Sequence, residues 1–332
     1  MERVSMRSRM EGVANLLSRG IIRLEFERML EHVYRQILRP GDTVIDIGAH
    51  AGRHLRPLLE CIGESGRAIA FEPLPFAYEQ LCSTLPHSNL SLHNVALSNK
   101  DGEFDFTFAE GSPEESGLIQ RTFNVPELAR PRTIRVKVHQ LDEFTQDLSS
   151  VAYIKIDIEG AEIDCLRGAG DVLKRLRPII SVEYGSLAFK AYGHVPESLY
   201  DLATEAGYVL FDIFLNRLED RTDWVEAVDF LCWDFFMVPG EKADQFAELA
   251  HTKGALPYLQ EVDSTPQSTL LQLEATQAEI DLQGAELERM GSLQEHLRQE
   301  NSCLREELRA LRNSTSWRAT EPLRKVLSSL RR

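Results

Sequence analysis

The sequence predicts an α/β domain built around a mainly parallel sheet. Between residues 41 and 240, short β-rich segments alternate with helical stretches, as in chains assembled from βαβ units. The segment Val44–Ile47 ends in a glycine-containing turn that leads into a helical stretch, which is how a parallel strand connects to its crossover helix. With 332 residues, 43% of them hydrophobic and 27% charged, the chain has an ordinary globular composition.

Nine β-rich segments are predicted to be strands. They are residues 43–47, 68–71, 90–97, 104–108, 134–138, 153–158, 179–183, 208–214 and 230–238. Apolar positions between residues 10 and 38 recur at helical spacing and predict one or two amphipathic helices before Pro40 and Gly41. We therefore divide the chain into a helical segment 1–40, a domain 41–240, a connector 241–268, a coiled coil 269–312 and a basic amphipathic tail 313–332.

The coiled coil is predicted from a heptad pattern between residues 273 and 311. Eight of its twelve core positions are apolar, and Glu and Arg occupy the flanks. The pattern favours a homo-oligomer. The alternative is one long helix docked on its own domain; Gly284 and Gly291 would weaken such a helix, and no second apolar stripe is present for docking.

Charge and cysteine content exclude several classes. The net charge of −15 argues against a general nucleic-acid binder. Five scattered cysteines without a Cys-x-x-Cys pair fit thiols in a reducing compartment better than a disulfide framework or a zinc site. No apolar stretch suits a secretory signal or a membrane span, so we expect a soluble cytoplasmic protein.

The turn after residues 44–47 is the strongest chemical signal. Gly48 and Gly52 frame it, and glycine permits backbone angles and close approaches that a side chain would block. His50 and Arg53 stand where a dinucleotide fingerprint requires glycines, so a nicotinamide cofactor is not expected. The next apolar segment ends in Glu72, and a carboxylate at that place accepts hydrogen bonds from ribose hydroxyls in nucleoside-binding α/β folds.

Three motifs resemble the class I S-adenosylmethionine-dependent methyltransferases, and more narrowly the FkbM family. They are Val44-Ile-Asp-Ile-Gly-Ala-His-Ala-Gly52, Asn94-Val-Ala-Leu-Ser98 and Tyr153-Ile-Lys-Ile-Asp-Ile-Glu-Gly-Ala-Glu162, the last followed by Leu166-Arg-Gly-Ala169. His50 departs from the family, which usually has Asn there. The resemblance covers about residues 41–238.

The resemblance implies a seven-stranded, mostly parallel sheet that binds S-adenosylmethionine across the carboxyl ends of its first strands. Asp46, Gly48 and Gly52 would shape the methionine side of the pocket, and Glu72 would bind the ribose. Asn94, Val95 and Ala96 would lie near the adenine. For Asn94, an ordinary turn residue at a strand end is the alternative.

Three carboxylates are candidates for contacts with the molecule that accepts the methyl group. Asp157 and Glu159 follow one predicted strand and Glu183 ends the next. They could position a hydroxyl-bearing acceptor, act as general base or bind a divalent cation, so the metal requirement stays open. Structural alternatives are that Glu159 caps the following helix and that Glu183 pairs with a cation. His139 could act as a base, but we interpret it as an ordinary loop histidine, like His54 and His194. Residues 110–117 are interpreted as a polar loop able to close over substrate.

The tail suggests a setting for the reaction. Residues 314–324 resemble a terminal segment of bacterial glycosyltransferases and other surface-polysaccharide proteins, and Leu323, Val326, Leu327 and Leu330 share one face beside basic residues. A peripheral helix on the inner membrane face and a frayed basic tail are the two interpretations. We expect an O-methyltransferase acting on a sugar hydroxyl of a cell-surface glycan or its precursor. The alternatives are a small-molecule O-methyltransferase of secondary metabolism and a catalytically silent scaffold at the membrane.

Overall fold

The central sheet is formed by strands joined largely through helices. The computed structural model describes residues 6–228, 230–251 and 260–261. The strands are β1 Ile22–Arg23, β2 Thr43–Ile47, β3 Arg67–Phe71, β4 Leu90–His93, β5 Ala96–Leu97, β6 Gly102–Ala109, β7 Pro131–His139, β8 Tyr153–Ile156, β9 Ile179–Glu183, β10 Tyr208–Asp212, β11 Arg217–Leu218, β12 Asp234–Pro239 and β13 Gln260–Glu261. The α-helices are α1 Met6–Ser18, α2 Phe26–Ile37, α3 Leu55–Ile62, α4 Pro75–Thr84, α5 Pro126–Ala129, α6 Glu162–Arg167, α7 Ser186–Phe189, α8 Glu197–Glu205, α9 Arg221–Ala227 and α10 Ala243–Ala247.

The main sheet has the order β11-β10-β12-β9-β8-β2-β3-β4. Its five strands from β9 to β4 are mutually parallel, while β12 runs antiparallel between β9 and β10. The predicted α/β class with a mainly parallel sheet is confirmed. The two-residue strand β11 adds a short eighth strand to the seven that were expected.

The middle of the sheet places the chemically interesting strand ends side by side. β2 lies between β3 and β8, with Asp46 in register with Ala70 on one side and Lys155 on the other. The strands β2, β3 and β8 are almost entirely buried, as expected for a parallel sheet covered on both faces. Because parallel strands end at the same edge, the residues that follow β2, β3, β8 and β9 meet there.

A second sheet, ordered β5-β7-β6, corrects one predicted strand. The segment 90–97 was expected to be continuous, but it divides into β4 in the main sheet and β5 in the small one. Between them, the side-chain amide of Asn94 donates to the backbone carbonyls of Glu72 (2.8 Å) and Pro73 (3.1 Å). These bonds hold the chain in a turn at the end of β4.

The N-terminal helices pack on the sheet domain. Met6 and Met10 of α1 belong to the same apolar core as Phe235 and Trp224. In α2, Met29, Leu30, Val33 and Tyr34 are buried on one face, which confirms the predicted amphipathic helix.

No helix within residues 6–251 combines the length and apolar character needed to cross a bilayer. The predicted coiled coil 269–312 and tail 313–332 lie outside the described residues, as does most of the connector beyond residue 251.

Candidate active site

A cavity of about 320 Å³ opens at the carboxyl ends of β2, β3, β8 and β9. Its lining includes the turn after β2 and residues that follow β8 and β9. Pro113, Glu114, Ser116 and Leu118, from the connection between β6 and β7, complete the lining. The cavity therefore lies in the crevice where open α/β sheets bind ligands.

The turn after β2 is shaped by glycines at positive φ. Gly48 has a φ of +86°, and a Cβ added there would lie 1.9 Å from the backbone oxygen of Asp157. Gly52 has a φ of +82°, and its added Cβ would lie 2.9 Å from Leu81 Cδ2. Gly48 lines the cavity, whereas Gly52 packs against α4. Both glycines are thus required by the close packing of the turn against protein, as well as by its backbone angles.

Asp46 is a buried carboxylate without a partner among the described residues. Its side chain lines the cavity and is 1% exposed, and neither Oδ1 nor Oδ2 accepts a hydrogen bond. Burial raises the pKa of Asp46, although the charge of nearby Lys155 opposes the shift. Unpaired buried carboxylates are costly, so this one indicates that a cationic or hydrogen-bond-donating ligand completes the site.

Glu72, at the end of β3, is held by the turn. Its Oε2 accepts from the backbone N–H of His50 (2.8 Å), and its Oε1 accepts from the N–H of Leu74 (2.7 Å). Burial raises the pKa of Glu72 to about 7, against the lowering effect of these two bonds. Each carboxylate oxygen keeps a second lone pair, so Glu72 can still accept hydrogen bonds from a ligand.

The three residues expected near the adenine occupy different places. Val95 and Ala96 line the cavity next to Leu97. Asn94 does not line it; its amide is committed to the two carbonyls described above. The position of Asn94 therefore agrees with the turn-residue alternative, and its action on the cavity is through the backbone of Glu72 and Pro73.

At the ends of β8 and β9, Asp157 and Glu183 are hydrogen-bonded to each other. Lys155 Nζ donates to Asp157 Oδ2 (2.8 Å). Burial favours the neutral form of Asp157, but the charge and hydrogen bond of Lys155 and the bond to Glu183 hold its pKa below the usual value. Burial and the charge of Asp157 raise the pKa of Glu183 well above its usual value. These opposite shifts favour a proton on Glu183 over one on Asp157.

Lys155 is a site residue that the sequence analysis missed. It is 5% exposed in the middle of β8. Burial alone would lower its pKa, yet the charges of Asp157 and Asp46 raise it above the usual value. The available signal was a lysine inside an otherwise apolar strand, since a buried cation requires anionic partners.

Glu159 is oriented by a buried ion pair with Arg121. Its backbone has a φ of +59°, in the left-handed region that non-glycine residues rarely adopt. The amides of Ile158 and Gly160 donate instead to Glu162 Oε1, at 3.2 and 2.9 Å. The capping alternative for Glu159 is therefore wrong, because α6 has no side-chain cap and the Glu159 carboxylate pairs with Arg121.

Asp157, Glu159 and Glu183 form the expected acidic cluster. One carboxylate oxygen from each lies within 4.8 Å of the others. Oxygens at this spacing are compatible with a divalent cation. Two of the three acids are already neutralised by protein cations, Asp157 by Lys155 and Glu159 by Arg121. The electrostatics of the cluster are therefore balanced largely within the protein.

The segment between β6 and β7 is fastened over the cavity. Thr107 and Gly117 exchange backbone hydrogen bonds of 2.8 and 3.1 Å, and Ser116 Oγ accepts from the N–H of Ala109 at 3.0 Å. Further along, Tyr192 Oη accepts from the N–H of Ile119 at 3.0 Å. The segment expected to close over substrate thus contributes directly to the cavity wall, next to the Arg121–Glu159 pair.

His54 lies in the turn before α3, as interpreted, but it is not an ordinary loop histidine, because it lines the cavity. The ring is 5% exposed at the start of α3, where Nε2 is hydrogen-bonded to Glu27 and Nδ1 lies 3.2 Å from Tyr34 Oη. A carboxylate can only accept, so Nε2 carries a proton. His139 and His194 lie instead beside Glu143 and Asp164, outside the cavity lining.

The charge of the cavity fits a cationic cofactor. Its lining has seven carboxyl groups but only two side chains with a permanent positive charge, Arg53 and Lys155. The carboxyl groups are those of Glu27, Asp46, Glu72, Glu114, Asp157, Glu159 and Glu183. A ligand that combines a nucleoside with positive charge would find ribose acceptors at Glu72 and an unpaired anion at Asp46. S-adenosylmethionine has this combination, with a sulfonium and an ammonium group.

Comparison with known proteins agrees with this chemistry. Residues 46–210 match the family described as the Methyltransferase FkbM domain. These residues are therefore similar to an FkbM methyltransferase domain. The protein is accordingly a methyltransferase, and S-adenosylmethionine is its methyl donor.

Two curated relatives of this methyltransferase share parts of the chain. The 2-O-methyltransferase NoeI of Sinorhizobium fredii is 29% identical over 170 residues, which cover 46% of this chain and 68% of NoeI. Methyltransferase 1 of Beauveria bassiana is 26% identical over 151 residues, covering 40% of this chain and 60% of that protein.

Solved methyltransferase structures also align with the chain. Methyltransferase FkbM from Methylobacillus flagellatus KT aligns over 62% of this chain and 50% of its own, at 16% identity and a TM-score of 0.36. Aeropyrum pernix fibrillarin, with natively bound S-adenosyl-L-methionine, aligns over 64% and 74% of the two chains, at 12% identity and a TM-score of 0.35.

Proposed function

We propose that this methyltransferase transfers the methyl group to an oxygen, a sugar hydroxyl of a cell-surface glycan or its precursor. The observation that carries the oxygen acceptor is the hydrogen-bonded pair Asp157–Glu183 on the cavity wall, a proton acceptor where a hydroxyl would need one. Transfer to an oxygen is also supported by the similarity to a protein named 2-O-methyltransferase NoeI. The proposal that the acceptor is a glycan rests on the resemblance of the C-terminal segment to surface-polysaccharide proteins.

The proposed cofactor contacts follow the geometry of the cavity. Asp46 and the Gly48 turn bind the methionine part, Glu72 accepts hydrogen bonds from the ribose, and Val95 and Ala96 contact the adenine. Gly52 and Asn94 act indirectly, by fixing the turn and the end of β4.

The bound cofactor supplies an activated methyl group on a sulfonium. A new oxygen–carbon bond forms as the sulfur–carbon bond breaks, and the hydroxyl proton must leave the acceptor. Asp157, kept ionised by Lys155, accepts that proton while hydrogen-bonded to Glu183. Glu159, held by Arg121, hydrogen-bonds to the acceptor and aligns it. The protein's work is therefore alignment and removal of one proton.

The Asp157–Glu183 pair is tested by kinetics of Asp157→Asn and Glu183→Gln with the natural acceptor or a hydroxyl-rich surrogate. Removing a general base costs about 10²-fold or more in kcat, while cofactor affinity should stay within about threefold. Glu205 is exposed, and the control variant Glu205→Gln should leave both kcat and cofactor affinity unchanged. A kcat near wild type in both site variants would contradict the proposed base.

The acceptor is identified by transfer of labelled methyl groups from S-adenosylmethionine into envelope glycans, with small-molecule extracts in parallel. Label in glycans supports the proposal. Mass spectrometry of the labelled glycan then locates the modified sugar, because each methylated hydroxyl adds the mass of one methylene group. Label confined to small molecules would indicate secondary metabolism. Cofactor binding without transfer in either fraction would indicate the scaffold.

We also propose that residues 269–312 assemble copies of the chain and that residues 313–332 contact an anionic membrane surface. The heptad pattern supports the first part, and the apolar face with its basic neighbours supports the second. Deleting residues 313–332 should release the protein from anionic vesicles. Unchanged vesicle binding would contradict the membrane contact.

A further inference from the structure

Helix α2 brings a carboxylate into the cavity from outside the segment that matches the family. Glu27 lies in its first turn and lines the cavity, whereas the family match begins at residue 46. Glu27 Oε2 accepts from Arg53 Nε (3.0 Å) and from His54 Nε2, both in the connection between β2 and α3. These contacts join the N-terminal helix to the turn that carries Gly48 and Gly52.

The placement of Glu27 is fixed rather than incidental. His54 is buried, and its other ring nitrogen lies 3.2 Å from the hydroxyl of Tyr34, one of the buried residues of the same helix. The hydrogen bond from His54 lowers the pKa of Glu27 to about 2, so the carboxylate is ionised at neutral pH. Both protein contacts use Oε2, and 52% of the side chain is exposed, which leaves Oε1 accessible to a ligand.

Glu27 belongs to one end of the cavity. Its charge interacts with those of Lys155, Asp46 and Asp234, which lie on β8, β2 and β12. Glu72, the proposed ribose contact, lies on the other side of β2. Glu27 thus lies on the β8 side of Asp46, whose two oxygens have no hydrogen-bond partner among the described residues, and Glu72 lies on the β3 side of Asp46.

We infer that Glu27 and Asp46 together bind the ammonium group of the cofactor's methionine part. An ammonium has three N–H donors and one positive charge, so it can satisfy the two buried oxygens of Asp46 and still donate to Glu27 Oε1. The inference rests on the cofactor pocket proposed above and adds helix α2 to it. The N-terminal segment is then part of the cofactor site as well as a structural cover.

The test compares two ligands by calorimetry on the full chain. S-adenosylhomocysteine carries the amino-acid part, and 5′-methylthioadenosine has the same nucleoside and sulfur but lacks it. Losing one charge-assisted hydrogen bond should weaken S-adenosylhomocysteine binding about fivefold to tenfold in Glu27→Gln. Binding of 5′-methylthioadenosine should stay within about twofold, because it has no ammonium to lose.

Two further variants complete the test. Glu31→Gln removes a carboxylate one turn later on the same helix, where it pairs with Arg35 outside the cavity lining, and should change neither affinity. Glu27→Asp keeps the charge and should recover part of the lost binding. Equal weakening of both ligands in Glu27→Gln, or no weakening of either, would overturn the inference. Failure of the wild-type protein to bind either ligand would instead reject the cofactor pocket itself.

Discussion

On the β2 side of the cavity, Asp46 has no hydrogen-bond partner among the described residues, whereas on the β8 and β9 side the carboxylates are paired within the protein. Asp46 is buried and the carboxylates on the β8 and β9 side are half-buried, and all of them belong to the same lining. The difference separates two tasks. An unpaired anion is stabilised by a ligand that brings its own positive charge, and internally paired anions keep a defined geometry and proton count with or without a ligand.

The largest test of this contrast removes Lys155, the cation between the two sides. Lys155→Met should destabilise the fold by about 3–5 kcal/mol, because Asp157 and Asp46 would share a buried site without a counter-charge. The loss of unfolding free energy should be smaller in acid, because these carboxyl groups become protonated and no longer need a counter-charge. Urea unfolding at about pH 7 and about pH 5 measures both effects.

Lys174→Met serves as the matched control, since Lys174 is exposed and its loss should stay within about 0.5 kcal/mol. A Lys155→Met protein as stable as the control at neutral pH would show that the paired side does not depend on this cation.

The second test asks whether Asp46 is kept for a ligand rather than for the fold. Asp46→Asn should weaken S-adenosylmethionine binding at least about tenfold, because the amide cannot offer a negative charge to the cofactor. The same change should raise the stability of the unliganded protein by about 1 kcal/mol, because it removes a buried carboxylate whose oxygens accept no hydrogen bond among the described residues, while Lys155 keeps Asp157 as its partner.

The sign follows from the raised pKa of Asp46, which burial causes. A folded-state pKa above the unfolded value means that stability falls as pH rises, so the gain in Asp46→Asn should be larger in alkaline than in acidic buffer. Calorimetry measures the affinity for S-adenosylmethionine, and thermal unfolding of the same preparation measures the change in stability. A variant that is less stable yet binds normally would reverse the assignment.

The two sides also differ in how well the sequence predicts them. Strand ends and the turn near Asp46, Gly48 and Glu72 are local features, because hydrophobic runs and glycine spacing specify them within a few residues. Their positions in the fold agree with the expected strands. The division of segment 90–97 was not predicted, since it depends on the Asn94 amide reaching carbonyls of a neighbouring strand end.

The partners of the acidic residues were missed for a different reason. Arg121 meets Glu159 across 38 positions of sequence, and Glu27 meets His54 across 27, so no local pattern marks either pair. Lys155 did carry a signal, as a lysine within an apolar strand. Its partner Asp157 is only two residues further along the chain, whereas its proximity to Asp46 depends on the register of β8 against β2.

The smallest expected effect concerns the ribose contact. Burial raises the pKa of Glu72 to about 7, so part of the population is protonated at neutral pH. An ionised carboxylate accepts ribose hydroxyls better than a protonated one, and affinity for S-adenosylhomocysteine should therefore rise with pH, by at most about tenfold per unit below that pKa. Calorimetry between about pH 6 and about pH 8 measures the slope.

The same slope distinguishes Glu72 from other buried acids that titrate nearby. Burial also raises the pKa values of Glu162 and Asp234 to about 7, so some pH dependence would persist without Glu72. In Glu72→Gln the slope should flatten and the affinity should stay near the wild-type value at low pH. An unchanged slope in that variant would mean that the titrating group lies on the β8 side, among the paired carboxylates, and would remove Glu72 from the ribose contact.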